Sequence, residues 1–209
     1  MRIERLVSAV EPAFDALLRI YANALPPSEC KSVDALRRMI NRPEYLFLAS
    51  VDEDAVIGFS IAIAFADSDA ALLEYMAVDA GRRGAGVGQQ LFHATASQPQ
   101  FRGRLLLIEL DAEATHGTDP GILARREAFY RRLGCRQIEG LTYLMPQVSG
   151  ARPPLMDMLV HRDELPGSVE KEHLRALLAA CYTQVYGAPA SDPRIGEMLR
   201  GLPESIRLI

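Results

Sequence analysis

Apolar positions along this chain follow two periods in turn. Phe14, Leu17, Leu18, Tyr21 and Leu25 recur at helical spacing and predict an amphipathic helix that Pro26-Pro27 ends. A short strand over residues 2–7 precedes it, and a second helix over Val33–Ile40, N-capped by Ser32, follows. Tyr45–Val51 and Ala55–Ala66 are β-rich and are divided by polar Asp52-Glu53-Asp54, the pattern of an antiparallel hairpin that Leu72–Val78 extends into a meander. A Gly- and Arg-rich loop, Asp79–Gly84, opens a helix at Gly86–Ala96. Leu105–Leu110 is almost wholly apolar, as in a strand buried on both faces. Strand, helix and buried strand make a βαβ unit. A loop at 112–122, a helix at Ala124–Leu133 ended by Gly134, and strands at Gln137–Met145 and Leu155–His161 complete the pattern. The last 48 residues, 162–209, are helical in character, with Leu174, Leu177, Leu178, Cys181 and Val185 on one stripe.

At 209 residues, with 49% apolar and 24% charged residues, the chain has the composition of one globular domain with a modest extension. Residues 1–161 are expected to be that domain and 162–209 an extension too small for its own core. No apolar run is long enough to span a bilayer, and the first residues lack the apolar stretch of a signal peptide, which predicts a cytoplasmic protein with no membrane partner. The net charge of −4 argues against nucleic acid as a partner. Cys30, Cys135 and Cys181 are scattered, and the four histidines lack ligand spacing. Neither a disulfide framework nor a metal site is predicted.

The chemistry concentrates in Glu74–Phe92. There a strand runs into a glycine-rich loop, and the loop opens a helix. A helix N-terminus offers unpaired N–H groups and partial positive charge, glycines let the backbone approach a ligand, and Arg82 and Arg83 add charge. The sum is an anion cradle for phosphate or pyrophosphate. A P-loop is excluded: Gly81 and Gly86 have its spacing, but Val87-Gly88 follow where Lys and Ser or Thr are required. A nucleotide-dependent oxidoreductase fits poorly. Glu109 lies near the expected acid, but Gly84-x-Gly86-x-Gly88 is not GxGxxG and antiparallel strands precede it.

Arg83-x-x-Gly86-x-Gly88 resembles the pyrophosphate signature of the GNAT (GCN5-related N-acetyltransferase) superfamily. Glu74–Val78 looks like that family's fourth strand. Ala128–Cys135 resembles its FYxxLGF segment, with Cys135 in place of phenylalanine. The resemblance covers residues 2–161. It implies an α/β fold with a mixed, mostly antiparallel twisted sheet, a central parallel pair of fourth and fifth strands, and helices on both faces. It also implies an acetyl-CoA-dependent N-acyltransferase with no metal, moving an acetyl group to a primary amine of a small molecule or peptide by direct attack in a ternary complex. A non-catalytic acyl-CoA sensor is the alternative.

On that resemblance the CoA site comprises Met76, Ala77 and Val78, where pantetheine lies along the strand, and Arg82, Arg83, Gly84, Ala85, Gly86, Val87, Gly88 and Gln89 around the pyrophosphate. Tyr130 takes the general-acid position or packs against the cofactor. Glu74 and Glu109 are the candidate bases, and strand alternation places Glu74 on one face with Met76 and Val78. The asparagine that many members carry after the fifth strand is missing, which leaves Asp111 or Thr115 for its contact. Acceptor-pocket candidates are Tyr21, Glu29, Asp34, Tyr143, Met145 and Met156. The helix Val169–Tyr186 either covers a sheet edge or forms a dimer contact, and a homodimer is the expectation, as GNAT proteins are often dimers.

Overall fold

Near-continuous apolar runs in 45–78, buried on both faces, build the centre of an eight-stranded sheet. A computed structural model describes residues 1–112, 120–150 and 152–209. Strands β1 (Arg2–Leu6), β2 (Tyr45–Asp52), β3 (Ala55–Ala64) and β4 (Ala70–Val78) are antiparallel neighbours in that order. β5 (Leu105–Asp111) then pairs parallel with β4 after the crossover helix α3 (Val87–Ala96), the arrangement predicted for the βαβ unit.

Two helical layers cover the sheet. On one face α1 (Pro12–Ala24) and α2 (Val33–Met39) bury Phe14, Leu17, Tyr21 and Leu36 against Phe47, Phe59 and Leu72. Pro12 starts α1 and Ser32 caps α2 by accepting from the Ala35 amide at 3.2 Å. On the other face α3 and α4 (Pro120–Arg132) bury Leu91, Phe92, Tyr130 and Leu133 against Leu73, Leu106 and Ile108. α4 begins four residues before the predicted Ala124, with Ile122 exposed and Leu123 buried in its first turn.

The predicted strand 137–145 is broken into β6 (Arg136–Gln137) and β7 (Tyr143–Leu144), both paired with β8 (Leu155–His161). Gly140, at φ 75°, turns the chain out of the sheet, while Ile138 still donates to the Met158 carbonyl of β8 at 3.0 Å and bridges Leu208 on its other side. There the C-terminus supplies the edge: Gln137 and Ile209 exchange backbone hydrogen bonds at 2.8 and 3.0 Å, and Arg207 accepts from the Glu139 amide at 3.0 Å.

The C-terminal segment adds β9 (Ser168–Glu170), α5 (Lys171–Tyr186), α6 (Pro193–Leu199) and β10 (Ser205–Arg207), with β9 and β10 paired antiparallel. Leu174, Leu177, Leu178, Cys181, Tyr182 and Val185 of α5 are buried in the same core as α1 and β2–β4. The apolar stripe is therefore spent inside the chain rather than held out for a second copy. No helix among the described residues is long and apolar enough to cross a membrane.

Candidate acyl-transfer site

The site is made by a flaw in the sheet. Ile61 pairs with Tyr75 and Ala62 with Leu73, so Glu74 is an extra residue in β4, a bulge. Before it Leu72 faces the α1/α5 core and Leu73 the α3/α4 core. After it Tyr75 and Ala77 face the first, Met76 and Val78 the second. The placement of Glu74 on the face of Met76 and Val78 is thus corrected: the bulge shifts the phase, and Glu74 lies with Tyr75 on the opposite face.

Pairing between β4 and β5 ends at Leu73↔Ile108, just before the bulge. Beyond it each strand keeps its outer neighbour, β4 pairing with β3 as far as Val78 and β5 with β8 as far as Asp111, while a gap opens between them. The Asp79 amide donates to Ile57 of β3 at 2.9 Å. Amide direction alternates along a strand, so the N–H groups of Met76 and Val78 point into the gap.

A cavity of about 950 Å³ runs through this gap from one face of the sheet to the other. Its α3/α4 end is the predicted cradle. Arg82, Arg83, Gly84, Gly86, Val87, Gly88 and Gln89 line it, as do Met76, Ala77, Val78 and Tyr130. Of the predicted cofactor residues only Ala85 stands back. Gly84 and Gly86 have φ of 86° and 78°, where a side chain is strained, and a Cβ on either would meet nothing within 4 Å. The backbone at these turns therefore borders open space. Gly86 caps α3, so the amides of Val87, Gly88 and Gln89 lie in its unpaired first turn. A Cβ on Gly88 would lie 3.3 Å from the Phe129 ring, which explains how closely α3 and α4 approach. Arg82 reaches Asp52 at 3.5 Å and Arg83 Nε reaches the Val78 carbonyl at 3.4 Å, holding both arginines at the mouth. These residues suit a pyrophosphate and an extended chain along β4.

Tyr130 lines the cavity between Phe92 and Phe129, with ring centroids 6.0 and 5.1 Å away. Burial pushes its hydroxyl above the ordinary phenol range, so it remains protonated at neutral pH.

At the other end lie acids. Glu109 takes a 2.5 Å hydrogen bond from Tyr186 and a 3.5 Å contact from the Cys181 thiol, both on α5. Burial raises its carboxyl above the usual carboxylate range, the bonds from Tyr186, Tyr143 and Cys181 oppose the rise, and the Glu74 charge adds to it. Glu74 is different. Its carboxylate is 2% exposed and lies 2.5 Å from the Lys31 ammonium, which also donates to the Val185 carbonyl at 2.8 Å. The residue as a whole is half-buried, so what Glu74 presents to the cavity is backbone. Asp111 accepts from Arg126 Nη1 at 2.9 Å.

Of the acceptor candidates, Glu29, Met145 and Met156 line the cavity. Tyr21 donates to the Lys31 carbonyl within the core, Tyr143 is fully buried behind Glu109, and Asp34 pairs with Arg37 on the surface. Thr115 lies outside the described residues. Lys31, Arg126, Cys181 and Tyr186 were not singled out by the sequence. A signal existed for Lys31, one of only two lysines among 23 basic residues. None existed for the α5 pair.

Residues 42–136, from the start of the meander to β6, match the family model of the acetyltransferase (GNAT) domain. Over those residues the chain is similar to the acetyltransferase domain of the GNAT family. The whole architecture is that of the GNAT fold. It superposes on a GNAT-family protein from Bacteroides thetaiotaomicron with a TM-score of 0.72 at 20% identity, over 90% of this chain and 99% of that one. An aminoglycoside 6'-N-acetyltransferase complexed with coenzyme A gives 0.59 at 19% identity, over 79% and 99%. A ribosomal-protein-alanine N-acetyltransferase from Brucella melitensis gives 0.58 at 18% identity, over 78% and 99%. At these identities the likeness is one of fold. No curated protein sequence matches the chain.

Proposed function

We propose that this GNAT domain transfers an acetyl group from acetyl-CoA to a primary amine by direct attack in a ternary complex. The observation that carries the proposal is the cavity through the β4/β5 gap. It offers an anion cradle on one face of the sheet and an acid-lined chamber on the other. Acetyl-CoA supplies an activated thioester; the chain supplies the rest. The amides of α3's first turn and Arg83 bind the pyrophosphate, and the open edge of β4 aligns the pantetheine. The N–H of Met76 or Val78 donates to the carbonyl oxygen as negative charge grows there. Tyr130, kept protonated by burial, gives its proton to the departing sulfur as the carbon–sulfur bond breaks.

Glu109 rather than Glu74 takes the proton from the amine. Glu109 lines the chamber and burial raises its carboxyl above the usual carboxylate range, whereas the carboxylate of Glu74 is closed off by Lys31. An amine acceptor agrees with the named activities of two structural neighbours, which acetylate aminoglycosides and a ribosomal-protein alanine.

The test is thiol release from acetyl-CoA across a panel of amines, with mass spectrometry of the amine. Amine-dependent thiol release with an acetylated amine supports transfer. Tight acetyl-CoA binding with no turnover on any amine marks a sensor and refutes it.

A further inference from the structure

The acceptor chamber holds more acid than acyl transfer requires. Two residues beyond Glu109, roughly 7 Å along the strand, Asp111 ends β5 and faces Glu29 from the loop between α1 and α2. The Asp111 side chain is 3% exposed. One of its oxygens accepts from Arg126. The other, Oδ1, is buried and receives no hydrogen bond among the described residues. The group it faces is the Glu29 carboxyl, which can donate only while it holds a proton. Arg126 balances one negative charge and Lys31 is matched to Glu74. Glu29 and Glu109 make no ion pair with a cation of the chain among the described residues. An unmatched buried carboxylate costs free energy that a ligand cation would recover. Leu25, Met145, Met156 and Ile122 give the same chamber apolar walls.

Resting on the transfer reading above, we propose that Glu29 and Asp111 set acceptor specificity. The acceptor carries, besides the amine that is acetylated, a second cationic group, ammonium or guanidinium, that seats between these two carboxyls across a short apolar linker. The reacting amine must be neutral when it attacks beside Glu109. The second cation keeps its charge and replaces the proton held on Glu29. Burial first, then the Asp111 charge, hold the Glu29 carboxyl up at about 8, with Arg126 opposing and Glu109 adding.

The test is titration calorimetry of the whole protein, free and with saturating coenzyme A, using putrescine, cadaverine and agmatine against butylamine and pentylamine. At least one dication is expected to bind tenfold or more tightly than its matched monoamine. Glu29→Gln is expected to remove most of that advantage while acetyl-CoA affinity stays unchanged, which also certifies the fold. Asp111→Asn gives an independent second arm with the same expectation. No dication advantage in the unmodified protein, or a full advantage retained in both variants, overturns the proposal. Dication selectivity without acetyl-CoA binding would keep this site and sink the transfer reading; acetyl-CoA binding without dication selectivity would do the reverse.

Discussion

Removing the Lys31 ammonium should be among the most damaging single changes at this site. Lys31 and Glu74 are 11% and 2% exposed, with 2.5 Å between Nζ and Oε1, and Lys31 also ties the α1–α2 loop to the end of α5 through Val185. Lys31→Met keeps an unbranched apolar stem but strands a carboxylate with almost no water. Breaking a buried pair from one side costs about 3–5 kcal/mol. At about 2–4 °C per kcal/mol for a chain of this size, Tm should fall by roughly 6–20 °C. Glu74→Gln in the same background removes the stranded charge and should recover most of the loss, so a double-mutant cycle should show strong coupling. Urea unfolding of the four proteins measures it. A Lys31→Met cost below about 1 kcal/mol, the range of exposed pairs, would refute the reasoning and mean that water reaches Glu74.

Three further outcomes follow from the geometry. Tyr130→Phe should lower kcat about a hundredfold or more with acetyl-CoA affinity retained, read by steady-state kinetics and calorimetry; unchanged kcat would make Tyr130 a packing residue. Glu29 has a folded pKa near 8 against an ordinary 4.5. Folding therefore favours its protonated form, and that stabilisation, complete below about pH 4.5, is lost as pH rises through 8. Thermal melts should show Glu29→Gln losing less stability than the unmodified protein between pH 5 and 9. Deleting residues 162–209 should unfold the chain rather than release a monomer from a dimer. The six buried side chains of α5, at about 1.5–3 kcal/mol each, together match the whole stability of a typical domain. Circular dichroism with size-exclusion chromatography decides, and a folded truncated chain would show residues 1–161 to be self-sufficient.

The order of elements, the parallel pair and the glycine cradle were legible because each rests on local signals: period, turn residues and a helix start. The bulge at Glu74 was not. A single extra residue in Leu72-Leu73-Glu74-Tyr75-Met76 leaves the apolar content unchanged and is defined only by its pairing with Ile61 and Ala62. Yet it decides which acid reaches the cavity, so alternation alone misassigned the face of Glu74. The docking of the C-terminal peptide at residues 137–139 was hidden for a similar reason, since it pairs segments far apart in sequence. Cys181 read as part of an apolar stripe and Tyr186 as the end of its helix. Their contact with Glu109, more than seventy residues away in sequence, exists only once α5 is laid on the sheet. Glu29 and Asp111 were each visible as acids, but their juxtaposition was not.

The gap between β4 and β5, opened beside the glycine cradle, is the proposed seat of acetyl-CoA. Calorimetric titration of acetyl-CoA into the unmodified protein and into Gly86→Glu tests it most directly. One equivalent should bind to the unmodified protein and none detectably to the variant, whose carboxylate would occupy the open space at the start of α3. Equal binding by both proteins would contradict it.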